Sequence, residues 1–291
     1  MPQQSSSATA AGRPYPDDRT FTERYLSGRE LWGDDFGPQE IAEWFEDERE
    51  GFSSLDSAPT SADNFEYEGL NAHHGFPHLT GRDFPRALGV GSAYGGEFLP
   101  VLDRIGEVTI LEPSEHLRSP SLRSDSGREI PVRYVEPVPS GDMPFADGTF
   151  DLTLCLGVLH HIPNVSKVVR EIGRVSASGA MLLIREPVVS MGDWRDRDHP
   201  GLTKRERGIP RHLLEQAVRD AGFTVRSSRF CASVLTSRIS RVLGRNLYRT
   251  ASGARVDRAL SLATAWNYRY HPANAWQKLR PSAVYLVAER T

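Results

Sequence analysis

Only two cysteines, Cys155 and Cys231, stand in 291 residues. They are too few and too far apart for a disulfide framework or a cysteine metal set. That scarcity points to a reduced, cytoplasmic setting. No apolar run approaches the ~20 residues that a membrane-spanning helix needs. The N-terminus, Met-Pro-Gln-Gln-Ser-Ser-Ser-Ala-Thr-Ala, lacks a basic region followed by an apolar core, so a secretory signal is not expected. Residues 1–14 are expected to form a disordered tail, and no repeat or low-complexity tract follows it. Hydrophobic residues still make up 38% of the chain, enough for the core of one α/β domain with additions.

The net charge of −3 hides an asymmetry. Residues 15–68 hold 16 acids against 4 basic residues, whereas 226–281 hold 11 basic residues against the single acid Asp257. Such blocks form two solvated faces, or an acidic segment docked on a basic one. The basic segment could also meet an anionic substrate. Nucleic acid is not expected as a partner, because the excess sits in one segment with no recognisable binding motif.

The most informative stretch is Arg86-Ala-Leu-Gly-Val-Gly-Ser-Ala-Tyr-Gly-Gly-Glu97. Ala87 to Val90 reads as a buried strand. It breaks into glycines, and Phe98, Leu99, Leu102 and Ile105 predict a helix after them. Strand, glycine turn and helix open a nucleotide-binding α/β sheet. Glycine lets a ligand approach the backbone and permits positive φ. A second apolar strand, Val108 to Leu111, ends at Glu112, where such folds place a carboxylate for ribose hydroxyls.

These residues resemble the class I S-adenosylmethionine-dependent methyltransferases. The resemblance continues through Phe150-Asp-Leu-Thr-Leu-Cys-Leu-Gly-Val-Leu-His-His-Ile-Pro-Asn164, similar to the family's fourth strand and the loop after it. Met143-Pro-Phe-Ala-Asp-Gly-Thr-Phe-Asp151 is similar to the approach to that strand in the quinone-biosynthesis branch. The matched segments span roughly residues 86–186. They imply a Rossmann-like doubly wound α/β sheet, mostly parallel with an antiparallel last strand. They also imply S-adenosyl-L-methionine as cofactor, with S-adenosyl-L-homocysteine as product. The implied contacts are Gly89, Gly91, Ser92, Ala93 and Gly95 in the first turn and Glu112 on the ribose. Asp142 and Met143 would lie near the adenine, and Leu156 and His161 at the end of the fourth strand. Three departures stand out. Gly89 replaces a common acid, Ala93 a common glycine, and Pro139 falls where the family has an acid near the adenine.

The chain divides into five stretches: the tail, an N-terminal helical extension or lid at 15–80, the cofactor-binding core at 81–230, a helical substrate-shaping insertion at 231–281, and the last core strand at 282–291. Within the extension, Pro38 to Glu50 reads as a helix stopped by Gly51, with Ile41, Trp44, Phe45 and Glu48 on one face. Asn64 to Thr80 is rich in aromatics and histidine. His73, His74 and His78 lack a partnering cysteine or carboxylate pattern for metal, so no metal is expected. A lid, a substrate-facing loop or surface histidines are the readings left open. Ile130 to Val135 is a third strand, Ala180 to Ile184 a fifth, and Phe223 to Phe230 and Ala283 to Ala288 the last two. Asn164 is placed to cap a helix at its start, and Pro210 to Ala221 forms another. Ser190 to Ile209 is too long for a plain connector and reads as a functional loop. In the insertion, Ile239, Val242, Leu243 and Leu247, then Val256, Leu260, Ala263 and Trp266, are expected on a buried face.

Methyl transfer from a sulfonium is an in-line displacement that depends mainly on positioning. A hydroxyl acceptor additionally needs a base, whereas a neutral amine does not. His160 and His161 are candidate bases, since imidazole titrates near neutrality; either could instead bond the loop or touch the cofactor. Glu186 could orient or deprotonate an acceptor, or pair with an arginine. Asp193, Trp194 and Arg195 could contact the acceptor. The expected function is methyl transfer to an O or N atom of a small molecule, possibly an anionic sugar-like or secondary-metabolite scaffold. Homo-oligomerisation is compatible with this and a membrane partner is not expected. Non-methyl chemistry such as cyclisation, and a non-catalytic partner subunit, remain as alternatives.

Overall fold

The computed structural model describes residues 18–53, 67–191 and 205–291. The expected tail, most of the polar loop at 53–63, Asn64, Phe65, and Asp193, Trp194 and Arg195 lie outside them. Strands β1 (Phe84–Val90), β2 (Ile105–Leu111), β3 (Ser121–Arg123), β4 (Glu129–Val135), β5 (Phe150–Leu156), β6 (Ser176–Pro187), β7 (Phe223–Ser233) and β8 (Pro281–Arg290) form one sheet. Its order is β3-β4-β2-β1-β5-β6-β8-β7. β4, β2, β1, β5 and β6 run parallel, and Ala87 sits between Val108 of β2 and Leu152 of β5. β8 is antiparallel to both β6 and β7, so the expected antiparallel last strand is present. The central strands are apolar in unbroken runs because both sheet faces are covered.

Helices α1 (Asp18–Phe21), α2 (Pro38–Ser53), α3 (Glu68–His74), α4 (Val165–Val175), α5 (Arg211–Asp220), α6 (Val234–Leu243) and α7 (Ala251–Thr264) flank the sheet. Val168, Val169 and Ile172 of α4 pack with Leu214 and Val218 of α5 on one face. Phe98, Val101, Leu70 of α3 and Ala254 of α7 cover the other. A third cluster, Phe21, Tyr25, Trp32, Trp44 and Tyr270, pins the N-terminal extension. No helix of the described residues is long and apolar enough to cross a membrane.

Several expectations need correction. The helix after the glycine turn is a 3₁₀ segment, Gly96–Arg104, with Pro100 inside it. Proline removes a helical N–H, which disfavours a regular α-helix there. Ile105 therefore opens β2 instead of closing a helix. The serine-rich stretch after β2 contains β3, a short antiparallel edge strand. Helix α2 runs through Gly51 to Ser53. Asn164 makes no side-chain cap on α4; its Nδ2 donates to the Ser140 carbonyl at 2.8 Å. Asp34 supplies the cap, accepting from Ser166 N at 2.8 Å and Ser166 Oγ at 2.5 Å.

The largest correction is in the insertion. Val242 is 86% exposed and Trp266 70%, and Ile239, Leu243 and Val256 are exposed too. Leu247 of the expected face is buried, but α6 and α7 turn Thr236, Ala254, Asp257 and Ser261 inward. Asp257 accepts from Ala232 N at 2.9 Å, Ser233 N at 2.8 Å and Thr236 Oγ1 at 2.7 Å. Those bonds tie α6 and α7 to the end of β7. A carboxylate receiving backbone and hydroxyl donors offsets its own desolvation, so polar positions could turn inward.

Candidate active site

A cavity of about 240 Å³ opens at the carboxyl ends of β1, β2 and β5. Because β2 and β5 flank β1 on opposite sides, this is the point where strand order reverses and where open α/β sheets bind ligands. Gly91, Ala93, Glu112, Asp142, Met143 and His161 line it, and Phe45, Glu48 and Arg49 of α2 form its roof.

Gly91 has φ +61°, and a Cβ there would lie 2.6 Å from Val158 Cγ1. The turn therefore abuts the loop after β5 with no side chain between them. The absent acid at position 89 has a steric reason. A Cβ at Gly89 would meet Ser92 Oγ at 2.5 Å. Gly95, with φ +73°, packs under Ile110 in the same way. Gly89, Ser92, Gly95 and Leu156 thus support the turn from behind and are not among the cavity-lining residues. Ala93 holds a positive φ of 42°, a costly conformation outside glycine. Its N–H donates to Glu112 Oε2 at 3.1 Å, and Ser114 N donates to Oε1 at 3.0 Å. Burial raises the Glu112 carboxyl above its usual range, and these N–H donors oppose that rise.

Asp142 lines the cavity, and its Oδ1 pairs with Lys167 Nζ at 2.6 Å. That bond lowers its carboxyl below the usual range. The Met143 N–H donates to Glu171 Oε2 at 3.0 Å. Pro139 lies in the wall between these groups, so an apolar surface stands where an acid was missing.

The three candidate catalytic residues separate. Glu186 is 0% exposed and accepts from Val158 N and Leu159 N at 2.8 Å each, and from His160 N at 3.3 Å. It also meets His160 Nδ1 at 2.7 Å. It is not among the residues lining the cavity, and its bonds anchor the loop after β5. Burial opposes its charge, but His160 and those N–H groups hold its carboxyl below the usual range. His160 is also buried, with Nε2 3.4 Å from Glu206 Oε1. Burial alone would depress its pKa, and the two glutamates raise it to about 9. His160 is not among the residues lining the cavity; its ring lies between Glu186 and Glu206, which favour its charged form. His161 does line the cavity, with Nδ1 2.9 Å from Glu48 Oε2. The Trp44 Nε1–H donates to the His161 carbonyl at 2.9 Å.

Sequence reasoning placed Glu48 on a helix face but gave it no role. Its signal was a charge one turn from Trp44 on that otherwise apolar face. Glu48 is 6% exposed, and its Oε1 has no hydrogen-bond partner. Arg207 went unnoticed altogether. It is fully buried, donating to the carbonyls of Trp32 (2.6 Å), His160 (3.1 Å), Ile162 and Pro163 (both 3.0 Å). Burial lowers it to about 10, so it stays charged at neutral pH. Nearby, Arg205 pairs with Asp47 of α2 at 2.7 Å. The end of the long loop after β6 is thereby clamped to the roof. In the N-terminal extension, α3 packs between the sheet and α7, with His74 buried against Tyr285. His73, His74 and His78 are not among the residues lining the cavity.

Residues 88–184 match the family described as methyltransferase domain. Over 100 residues the chain is 32% identical to ajmaline N-methyltransferase and 30% identical to norajmaline N-methyltransferase, both of Rauvolfia serpentina. These matches cover 33% of this chain, and the chain spans about a third of the length of either relative (34%). An S-adenosylmethionine-dependent methyltransferase structure from Mesorhizobium loti superposes with a TM-score of 0.51 at 15% identity, covering 79% of this chain and all of that one. The two chains thus share a fold, a doubly wound α/β sheet with an antiparallel last strand. Residues 88–184 are similar to methyltransferase domains, and the fold is shared with an S-adenosylmethionine-dependent methyltransferase.

Proposed function

We propose that the chain transfers a methyl group from S-adenosylmethionine to a nitrogen or oxygen of a small molecule, with an amine nitrogen preferred. The observation that carries this reading is the charge of the cavity. Three carboxylates, Glu48, Glu112 and Asp142, face one arginine, Arg49, among apolar walls. That surface suits a cationic ligand with a flat apolar part. The residues fit the cofactor. The buried Oε1 of Glu48 lacks a donor, which an ammonium group would supply. Leaving such an oxygen unpaired costs on the order of 1–3 kcal/mol, so the ligand would relieve it. Glu48 thereby takes up the role vacated at Gly89, with Arg49 beside it for a carboxylate. Glu112 keeps acceptor capacity for ribose hydroxyls, and Leu117, Val138 and Met143 offer the apolar walls.

Bound there, S-adenosylmethionine supplies an electrophilic methyl group. The chain's own part is to hold and to cover. His161 fixes Glu48 through Nδ1, and Glu186 fixes the loop that carries His161. Phe45, Glu48 and Arg49 of α2 cover one side of the cavity. A neutral amine acceptor needs no base, which agrees with His160 being occupied elsewhere. The two N-methyltransferase relatives support nitrogen over oxygen. Within the class we place the chain near the quinone-biosynthesis branch, on its Met143–Asp151 approach to β5. Buried, free Cys155 and Cys231 agree with a reducing cytoplasm.

Calorimetric titration with S-adenosylmethionine and S-adenosylhomocysteine tests the reading. Binding of both, followed by label transfer to an amine panel, is expected. Binding of the first alone would shift the function to non-methyl chemistry. Binding of neither would leave only the fold.

A further inference from the structure

We propose that His160, His161 and Glu206 form a site for one divalent first-row transition ion, of the zinc or cobalt kind. The inference is independent of methyl transfer. One ligand atom from each residue lies within 4.8 Å of the others. His160 Nε2 and Glu206 Oε1 are 3.4 Å apart. Two ligands about 2.0–2.1 Å from a tetrahedral zinc stand roughly 3.3–3.4 Å from each other, so this pair already has the spacing of a coordination edge.

The second observation lies behind the ligands. His160 Nδ1 is 2.7 Å from Glu186 Oε2, and His161 Nδ1 is 2.9 Å from Glu48 Oε2. Carboxylates on the far nitrogens of metal-bound imidazoles fix the tautomer and ring orientation. Both histidines carry that support here. Neighbours on a 3₁₀ turn diverge by about 120°, yet these two rings converge to 4.0 Å between centroids.

Charge points the same way. Glu48, Glu186 and Glu206 lie around the two imidazoles, and the buried Arg207 guanidinium gives its hydrogen bonds to carbonyls and none to these carboxylates. A divalent ion at the three ligand atoms would meet carboxylates on more than one side. The side chains of His160, His161 and Glu206 are 10%, 16% and 12% exposed, shielded but reachable. Imidazole and carboxylate together select zinc, cobalt or nickel over calcium or magnesium. Such an ion would join the turn after β5 to the strand of chain that carries Arg205 and Arg207.

The test uses the full chain, stripped with a chelator and then titrated with Co²⁺ by visible absorption and with Zn²⁺ against a chromophoric chelator. One ion per chain, with a raised unfolding midpoint, is expected. Glu206→Gln keeps the shape of the side chain and should weaken uptake at least about tenfold. His212→Ala, on an exposed helix face, should leave uptake unchanged. His160→Ala serves as a second variant where circular dichroism shows it folded. Failure of the folded wild type to take up either ion at micromolar metal would overturn the site. So would uptake indifferent to Glu206→Gln. The cluster would then be an imidazolium held between two glutamates.

Discussion

Glu186→Gln probes the anchor under the candidate site most directly. The wild-type carboxylate receives three backbone N–H groups and the His160 ring. Glutamine keeps one carbonyl oxygen for Val158 and Leu159 but turns an amide NH₂ toward the His160 donors. Breaking a buried pair costs about 3–5 kcal/mol. Glu206, 3.4 Å from the other side of the ring, holds the loss near the lower limit, about 3 kcal/mol. At roughly 2–4 °C per kcal/mol, the melting temperature of the metal-free protein should fall by about 6–12 °C. The pair also has a pH signature. The folded pKa of His160 is raised to about 9 from 6.5, so its stabilisation is complete below pH ~6.5 and is lost as pH rises through 9. At ~1.36 kcal/mol per pKa unit, the loss is again about 3 kcal/mol. Glu186, with a lowered carboxyl, loses its share as pH falls below the carboxylate range. Urea unfolding across pH 5–10 should therefore show a gap between wild type and variant that is widest near pH 5–6.5 and closes toward pH 10. A pH-independent gap, or one under ~0.5 kcal/mol, would refute the anchoring argument.

Glu112→Gln should weaken S-adenosylmethionine binding about tenfold or more by calorimetry, and unchanged affinity would remove Glu112 from the ribose. In the insertion, Val242→Ser should change stability by less than ~0.5 kcal/mol. Asp257→Asn, which loses charge at three buried donors, should cost about 2 kcal/mol; equal effects would restore the originally expected face. His74 is buried with both ring nitrogens unpartnered, and burial lowers its pKa to about 3. The unfolded chain therefore takes up the proton first, and stability should fall by up to about 4 kcal/mol as pH drops from 6.5 toward 3. His74→Phe should flatten that limb in urea titrations, and an unchanged slope would contradict it.

The strands and the glycine turn were legible in residue order because they rest on local rules. Phe150 to Leu156 appears as β5 at the expected residues. Gly91 takes the positive φ that its place in the turn demands. Amphipathic reading failed where polar groups satisfy one another inside. The insertion turned Asp257 and Thr236 inward because backbone donors of β7 were waiting for them. No periodicity in α6 or α7 records that.

The cavity divides along the same line. Gly91, Glu112, Asp142, Met143 and His161 could be read from short-range motifs, since each follows directly on a strand or turn. The distinction between His160 and His161 could not. Adjacent in the chain, they part because Glu186, on the neighbouring strand, captures one ring, and Glu48, from α2, captures the other. The sequence by itself determined a doubly wound sheet and a ligand site at its strand-order reversal, through local conformation and hydrophobic pattern. Only the tertiary structure decided which carboxylates lie buried beside which imidazoles, because that pairing joins segments 26 and 113 residues apart whose contact depends on how the whole core packs.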